Sequence, residues 1–370
     1  MEERIKPLLN HFPISAFQQT LVNWFEQNMR QLPWREDRDP YKVWVSEIML
    51  QQTQVDTVMP YFENFIQQFP TLDHLAAADE EEVLKAWEGL GYYSRARHLH
   101  QAVREVKEKY GGRVPDQPRR LRSLPGIGPY TAGAILSIAY GKKEPAVDGN
   151  VMRVMSRIFE IEDDISRSKT RALFDQLIRQ LIPEGDASYF NQGLMELGAL
   201  VCTPGTPQCL TCPVREYCRA QASGKQEALP VKQKKKKPRL LRMAAGVLLN
   251  ENTVLIRRRP DQGLLAKLYE FPNVEWSAGE PQEAISTHIF ETYGIKCAAA
   301  AKYNQVQHTF THLVWDITVF EMRFMESWAE SELPENHVWA DLDDLSTYPF
   351  PVSHQKIIEQ LLKRHTIKHA

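Results

Sequence analysis

The 370-residue chain predicts a multidomain protein, an all-α block followed by an α+β domain, and three observations carry that reading. Apolar residues recur at helical spacing through most of the first half. A basic, polar stretch then interrupts the pattern, and beyond it short β-branched runs alternate with turn residues. Four of the five cysteines, Cys202, Cys209, Cys212 and Cys218, crowd together where the helical part ends.

The elements follow in order. Helical periodicity runs from Phe17 to Met29, Asp79 to Trp87, Ser94 to Tyr110, Thr170 to Ile182 and Tyr189 to Val201, parted by breaks bearing Pro or Gly. Residues 1–222 are assigned to one helical domain that closes in the cysteine loop 202–218. Residues 223–239, including Lys234-Lys235-Lys236-Lys237-Pro238, read as a basic interdomain linker, either a solvated tether or a DNA contact. Residues 240–370 read as the α+β domain. Ala244 to Leu249, Thr253 to Arg258 and Val314 to Phe320 are its β-rich runs, with helices around Pro281 to Tyr293 and from Ser353 to His365.

Composition excludes some classes. With 43% hydrophobic and 25% charged residues the chain is that of an ordinary globular protein, and no apolar run reaches the roughly 20 residues that span a membrane. The first residues, Met1-Glu2-Glu3-Arg4-Ile5-Lys6, lack an apolar signal core, so a cytoplasmic, nucleoid-associated protein is expected. Net charge is only −2, but its distribution is uneven. Residues 101–150 hold 9 Lys+Arg against 5 Asp+Glu, and residues 201–250 hold 10 against 2, as expected where a phosphate backbone is met locally.

The cysteines read C-x6-C-x2-C-x5-C, which needs a common purpose. Disulfides do not suit a chain without a secretory start. Zinc favours paired short knuckles, whereas an iron–sulfur cluster also takes four thiolates, so both metals stay open on spacing alone.

Three further motifs carry chemistry. In Leu124-Pro125-Gly126-Ile127-Gly128 two glycines lie between helical stretches, where outward N–H groups and a helix start would grip a phosphate without reading sequence. Asp148, in Val147-Asp148-Gly149-Asn150-Val151, stands before a new helix, as an N-cap or as a working carboxylate. Glu47 shares a helical stripe with Val43, Trp44 and Leu50. A carboxyl group on an apolar face has its pKa raised and stays protonated. One protonated and one ionised carboxyl group is the division of labour that cleaves a glycosidic bond.

In this order, the motifs resemble the helix-hairpin-helix DNA glycosylases of the endonuclease III superfamily, and within it the MutY family of adenine DNA glycosylases. Trp34-Arg35, the segment Ser46 to Val55, Gly89 to Ala96, the glycine hairpin, Val147 to Val151 and the cysteine loop all carry the resemblance. It implies a [4Fe–4S] cluster on Cys202, Cys209, Cys212 and Cys218, bracing the loop and presenting Arg215 and Arg219 to phosphate. It also implies a monomer acting on double-stranded DNA that contains 8-oxoguanine:adenine or guanine:adenine mispairs, with base flipping.

Glu47 would protonate the extruded adenine and Asp148 would stabilise the sugar cation, with Tyr130 and Asn150 in support. Trp34, Arg35 and Gln192 would shape the base pocket. Gln52 and Tyr92 would wedge into the stack, and Gly126 and Gly128 would hold the backbone. Bifunctional relatives carry a lysine where this chain has Tyr130, and tyrosine forms no imine. A monofunctional enzyme is therefore expected, the alternative being a bifunctional oxidised-pyrimidine glycosylase with lyase activity.

The C-terminal domain resembles the MutT-like (Nudix) fold. A Nudix hydrolase needs clustered carboxylates on one helix, but the aligned positions hold Thr287, His288, Glu291 and Thr292. One carboxylate should not organise the metal for pyrophosphate cleavage. The domain is therefore expected to read 8-oxoguanine, through Phe310, Thr311 and His312, with threonine where the family has serine.

Overall fold

The computed structural model describes residues 2–233, 237–326 and 333–369. Lys234, Lys235 and Lys236 of the expected linker lie outside the described residues. The chain divides into two compact units: Met1–Ala77 with His98–Lys234, and Ala78–Arg97 with Lys235–Ala370. The first unit is therefore not continuous in sequence, and the segment 78–97 departs from the expected 1–222 domain.

In the first unit five helices position the residues of interest: α1 (Ile14–Asn28), α2 (Pro40–Met49), α3 (Pro129–Ile138), α4 (Gly149–Ile158) and α5 (Ala187–Leu200). Pro at the first turn of α2 and α3, and aspartate caps at Asp39 and Asp148, fix where helices begin. A core built on Phe17, Leu21, Val151, Met155, Phe174, Phe190 and Leu194 ties α1, α4 and α5 together. Helix α3 approaches the chain at Pro145 so closely that a Cβ on Gly133 would lie 1.8 Å from the Pro145 carbonyl oxygen. That contact sets the height of the following loop, which carries Asp148.

Part of the expected linker is not a tether. Leu229 is buried, Arg157 Nε donates to its carbonyl at 2.9 Å, and Ile165 N–H donates to Val231 O at 3.0 Å. Arg239 already belongs to the first strand.

Among the described residues the second unit holds a seven-stranded mixed sheet, with strands β1 (Arg239–Asn250), β2 (Thr253–Arg258), β3 (Tyr269–Glu270), β4 (Asn273–Glu275), β5 (Cys297–Thr309), β6 (Leu313–Phe324) and β7 (His337–Asp341). β1 runs parallel to β6, and β5 pairs antiparallel with β6 through a three-residue turn. Helix α6 (Pro281–Tyr293) buries Ile285 and Ile289 on one face, and α7 (Val352–His369) buries Ile357 and Leu361 on the other. β5 carries no β-rich signature in sequence; its alanines and polar residues become a strand because β6 offers a free edge.

Polar contacts explain why 78–97 joins this unit. The Glu88 carboxylate accepts from Phe350 N–H at 2.7 Å, the Tyr93 hydroxyl donates to Phe350 O at 3.3 Å, and Lys267 pairs with Glu80. Among the described residues no helix is long and apolar enough to cross a membrane.

Candidate active site

Helix α2 is buried continuously from Val43 to Met49, and Glu47 lies in that run, 5% exposed. An ionised carboxylate there would be costly without partners. Burial pushes its carboxyl from 4.5 up to about 7. A hydrogen bond from Tyr130 opposes the rise, nearby Asp148 adds to it, and Arg35 opposes it. The Tyr130 hydroxyl, delivered by the first turn of α3, donates to Glu47 Oε2 at 2.6 Å. Glu47 therefore holds and releases a proton near neutrality.

Asp148 is both a cap and a member of the site. Its Oδ1 accepts from Val151 N–H at 2.7 Å and its Oδ2 from the Asn150 amide at 2.9 Å. Burial raises its carboxyl above the ordinary value, while these two donors and Arg153 counter the rise. Asn150 is itself held: its Oδ1 accepts from Arg153 Nη2 at 2.8 Å, and Arg153 also donates to Gly198 O and Cys202 O, each at 2.8 Å.

Glu47, Tyr130, Asp148, Asn150, Trp34, Arg35 and Gln192 line one cavity of about 160 Å³. That is below the roughly 300–1,000 Å³ of pockets for drug-sized ligands and suits a single planar heterocycle. Trp34 forms an edge contact with Phe62 at 5.4 Å, and Arg35 Nε donates to Gln192 Oε1 at 3.0 Å. Among the described residues that line this cavity none is a lysine.

Gln52 follows α2 in a left-handed conformation (φ 61°) and is exposed. Of the two hairpin glycines only Gly126 (φ 74°) uses glycine's conformational freedom; Gly128 caps α3 at φ −87°, and a Cβ there would meet open space.

All four cysteines of the quartet line a second cavity, with Arg157 and Arg215 beside them. Arg157 donates to Cys202 Sγ at 3.2 Å and to Thr203 O at 2.8 Å. Among the described residues no three His, Cys, Asp or Glu groups meet at a single metal-binding point. The donor set would suit a polynuclear iron–sulfur group, which takes one thiolate at each iron rather than four at one ion. Arg215 is exposed as expected, but Arg219 turns inward, donating to Leu8 O at 2.6 Å and covering the Phe159 ring.

In the second unit, Tyr92, Phe310, Thr311 and His312 line a cavity of about 400 Å³ with Leu264 and Leu265. Phe310 packs edge-on against Trp315 at 5.1 Å, and its N–H donates to Leu313 O at 2.7 Å, closing the turn that carries Thr311.

The family of HhH-GPD superfamily base excision DNA repair proteins matches residues 45–180, and the NUDIX domain family matches residues 244–360. An adenine DNA glycosylase of Homo sapiens is 35% identical, over 93% of this chain and 73% of its own length. One from Buchnera aphidicola subsp. Schizaphis graminum is 33% identical, over 94% of this chain and 99% of its own. The chain belongs to the adenine DNA glycosylase family. It is a hydrolase of N-glycosyl bonds. A thermostable thymine-DNA glycosylase of known structure superposes with a TM-score of 0.53 at 30% identity, over 58% of this chain and 99% of that one.

Two further residues that line the Glu47 cavity, Arg30 and Glu196, carry no motif in the sequence. Glu196, on α5, is 1% exposed and accepts from Arg30 Nε at 2.9 Å and from Arg35 Nη2 at 3.1 Å. Burial alone would raise its carboxyl, but the two guanidinium groups bring it down to about 2. Arg30 and Glu196 thus lock Arg35 and, through it, Gln192. A charged residue on the apolar face of the 189–201 helix was the available signal. In the Nudix-like unit, Glu291 stands exposed on α6, and the buried carboxylate is instead Glu270, paired with Arg257 and Arg259.

Proposed function

We propose that this glycosylase excises adenine mispaired with 8-oxoguanine, or with guanine, in double-stranded DNA by a monofunctional hydrolysis. The supporting observation is the buried Glu47, with a carboxyl near 7, sharing one cavity with Asp148 and hydrogen-bonded to Tyr130. A cavity this recessed admits a base only after it leaves the stack, hence base flipping. Glu47 gives its proton to N7 of the extruded adenine, so that the N-glycosidic bond breaks with a neutral leaving group. Asp148, held by Val151 N–H and Asn150, faces the cationic sugar that results. Water adds its hydroxyl to C1′ and returns a proton to a carboxylate. Tyr130 supplies a hydroxyl and no amine, so no imine forms on the sugar.

Trp34, Arg35 and Gln192 fit and hydrogen-bond the adenine. Gln52 and Tyr92 act as wedges, the Gly126–Gly128 turn grips a phosphate, and Thr311, between Phe310 and His312, reads the opposite purine. Cys202, Cys209, Cys212 and Cys218 would hold a [4Fe–4S] cluster, which braces loop 202–218 and takes no part in a hydrolysis that moves no electron. The reading is of a monomer in the cytoplasm, associated with the nucleoid, in which the C-terminal α+β part acts as the reader.

Single-turnover cleavage of three duplexes tests it: adenine opposite 8-oxoguanine, adenine opposite guanine, and an oxidised pyrimidine. Adenine release from the first two without strand scission is expected. Excision of the pyrimidine with a borohydride-trappable adduct would overturn the proposal. Thr311→Ala should erode the preference for 8-oxoguanine over guanine, and an unchanged ratio removes Thr311 from its role.

A further inference from the structure

We infer that Met195 is an oxidation site inside the base cavity, whose conversion to the sulfoxide by a peroxide draws the Tyr130 hydroxyl away from Glu47 and slows excision. The effect on rate rests on the reading of Glu47 as the acid. Met195 Sδ lies 3.4 Å from the Tyr130 hydroxyl, which donates at the same time to Glu47 Oε2 at 2.6 Å. The three residues line the cavity of about 160 Å³ and are delivered by α5, α3 and α2.

The fold makes this sulfur available. Helix α5 is buried from Phe190 to Leu194 and again from Glu196 to Gly198, and Met195 is the half-buried break in that run. Leu194 and Leu197 beside it are fully buried in the core, whereas Met195 meets the cavity. Met49, Met152 and Met155 are buried and shielded from an oxidant in solvent. Met29 and Met59 are half-buried and Met325 is exposed, but none of them lines this cavity.

A thioether is a weak acceptor, so in the reduced protein the single Tyr130 proton goes to the nearer carboxyl group. A peroxide reverses that preference. The Met195 sulfur attacks one peroxide oxygen, an S–O bond forms and the O–O bond breaks. The oxygen that leaves takes the proton of the transferred one and departs as water, the sulfur being oxidised by two electrons and the peroxide reduced by two. The polar sulfoxide oxygen now stands where the sulfur met Tyr130 and accepts its proton. Glu47 then loses the hydrogen bond that opposes the effect of burial, and its carboxyl rises further above about 7. A weaker acid protonates adenine less readily. The added oxygen also narrows a cavity that suits one heterocycle.

Leucine has nearly the volume of methionine and no sulfur, so Met195→Leu is the matching variant. Both proteins are treated with hydrogen peroxide, and single-turnover adenine release is read for each against its own untreated rate. Loss of one hydrogen bond to an ionisable group predicts that the native protein slows about ten- to hundredfold more than Met195→Leu, with one added oxygen found by mass spectrometry on the peptide holding Met195. The two proteins share the same cysteines, so damage there slows them alike. The residual excision of the oxidised native protein should persist to higher pH than that of the untreated protein, because Glu47 keeps its proton longer; a merely distorted cavity leaves that limb in place. Full oxidation of Met195 with an unchanged rate overturns the inference, as does equal slowing of native protein and Met195→Leu. Near-normal excision by Glu47→Gln instead overturns the reading of Glu47, and the link from Met195 to rate with it.

Discussion

Replacing Glu47 by glutamine keeps the size and hydrogen-bond acceptor of the side chain and removes its titrating proton. Tyr130 can still donate to the amide oxygen, so the fold around α2 should survive. Chemistry should not. Loss of a general acid costs about 10²–10⁴-fold in rate, and single-turnover adenine release should fall by at least that much while binding to the mispaired duplex persists.

The same substitution carries a stability signature. In the native protein burial holds the Glu47 carboxyl at about 7 rather than 4.5, so between these pH values the folded state binds more protons than the unfolded one. Stability contributed by Glu47 is therefore complete below pH 4.5 and is lost as pH rises to about 7, by about 3 kcal/mol in total. Glutamine has no such term. Denaturant melts of both proteins from pH 5 to 8 should diverge in favour of the variant, then run parallel above pH 8. Native excision should decline above about pH 7 as the acid form is lost. Parallel melts across the whole range, or near-normal excision by the variant, would refute the reasoning.

Other perturbations test the surroundings of that carboxyl. Asp148→Asn retains an excellent N-cap, so helix α4 should fold normally while single-turnover excision drops about 10²–10³-fold; a rate near native would leave Asp148 a cap and nothing more. Gly133→Ala places a Cβ against the Pro145 carbonyl oxygen, which must shift and carry the Asp148 loop with it. Several kcal/mol of destabilisation, with slower excision in the surviving fold, should appear in melts and rate measurements, and a neutral outcome would show that the loop yields freely. Cys209→Ser should lower iron content, seen by metal analysis and visible absorbance, and weaken folding or DNA binding before the excision step. Selective loss of the chemical step at full binding would contradict a bracing role.

Much of the candidate site was legible because the residues that meet in its cavity are rare types in unusual settings. A glutamate among Val43, Trp44 and Leu50 announces a raised pKa from one helix alone, and the cysteine quartet announces a shared ligand. Glu196 was not legible, because its role depends on Arg30 and Arg35, which lie more than 160 residues away in sequence. The resemblance implies that the cysteine loop presents Arg219 to phosphate, yet in the fold Arg219 donates to Leu8 O and covers the Phe159 ring. The linker was read from composition, and composition does not reveal that Leu229 finds a buried seat beside Arg157.

The amino-acid sequence by itself determined the helical and α+β parts, the pair of carboxyl groups, the absence of an imine-forming lysine at position 130, and the loss of the Nudix metal ligands. The first two follow from local periodicity and from the chemistry of single side chains, neither of which needs a partner; the last two follow from the resemblance of the motifs to the family. Only the tertiary structure decided that Asp148 caps a helix while lining the same cavity as Glu47, that residues 78–97 pack with the C-terminal unit, and that Tyr92 meets Thr311. Each of those depends on groups distant in sequence being brought within a few ångströms, where burial and hydrogen bonding act and sequence spacing carries no record of them.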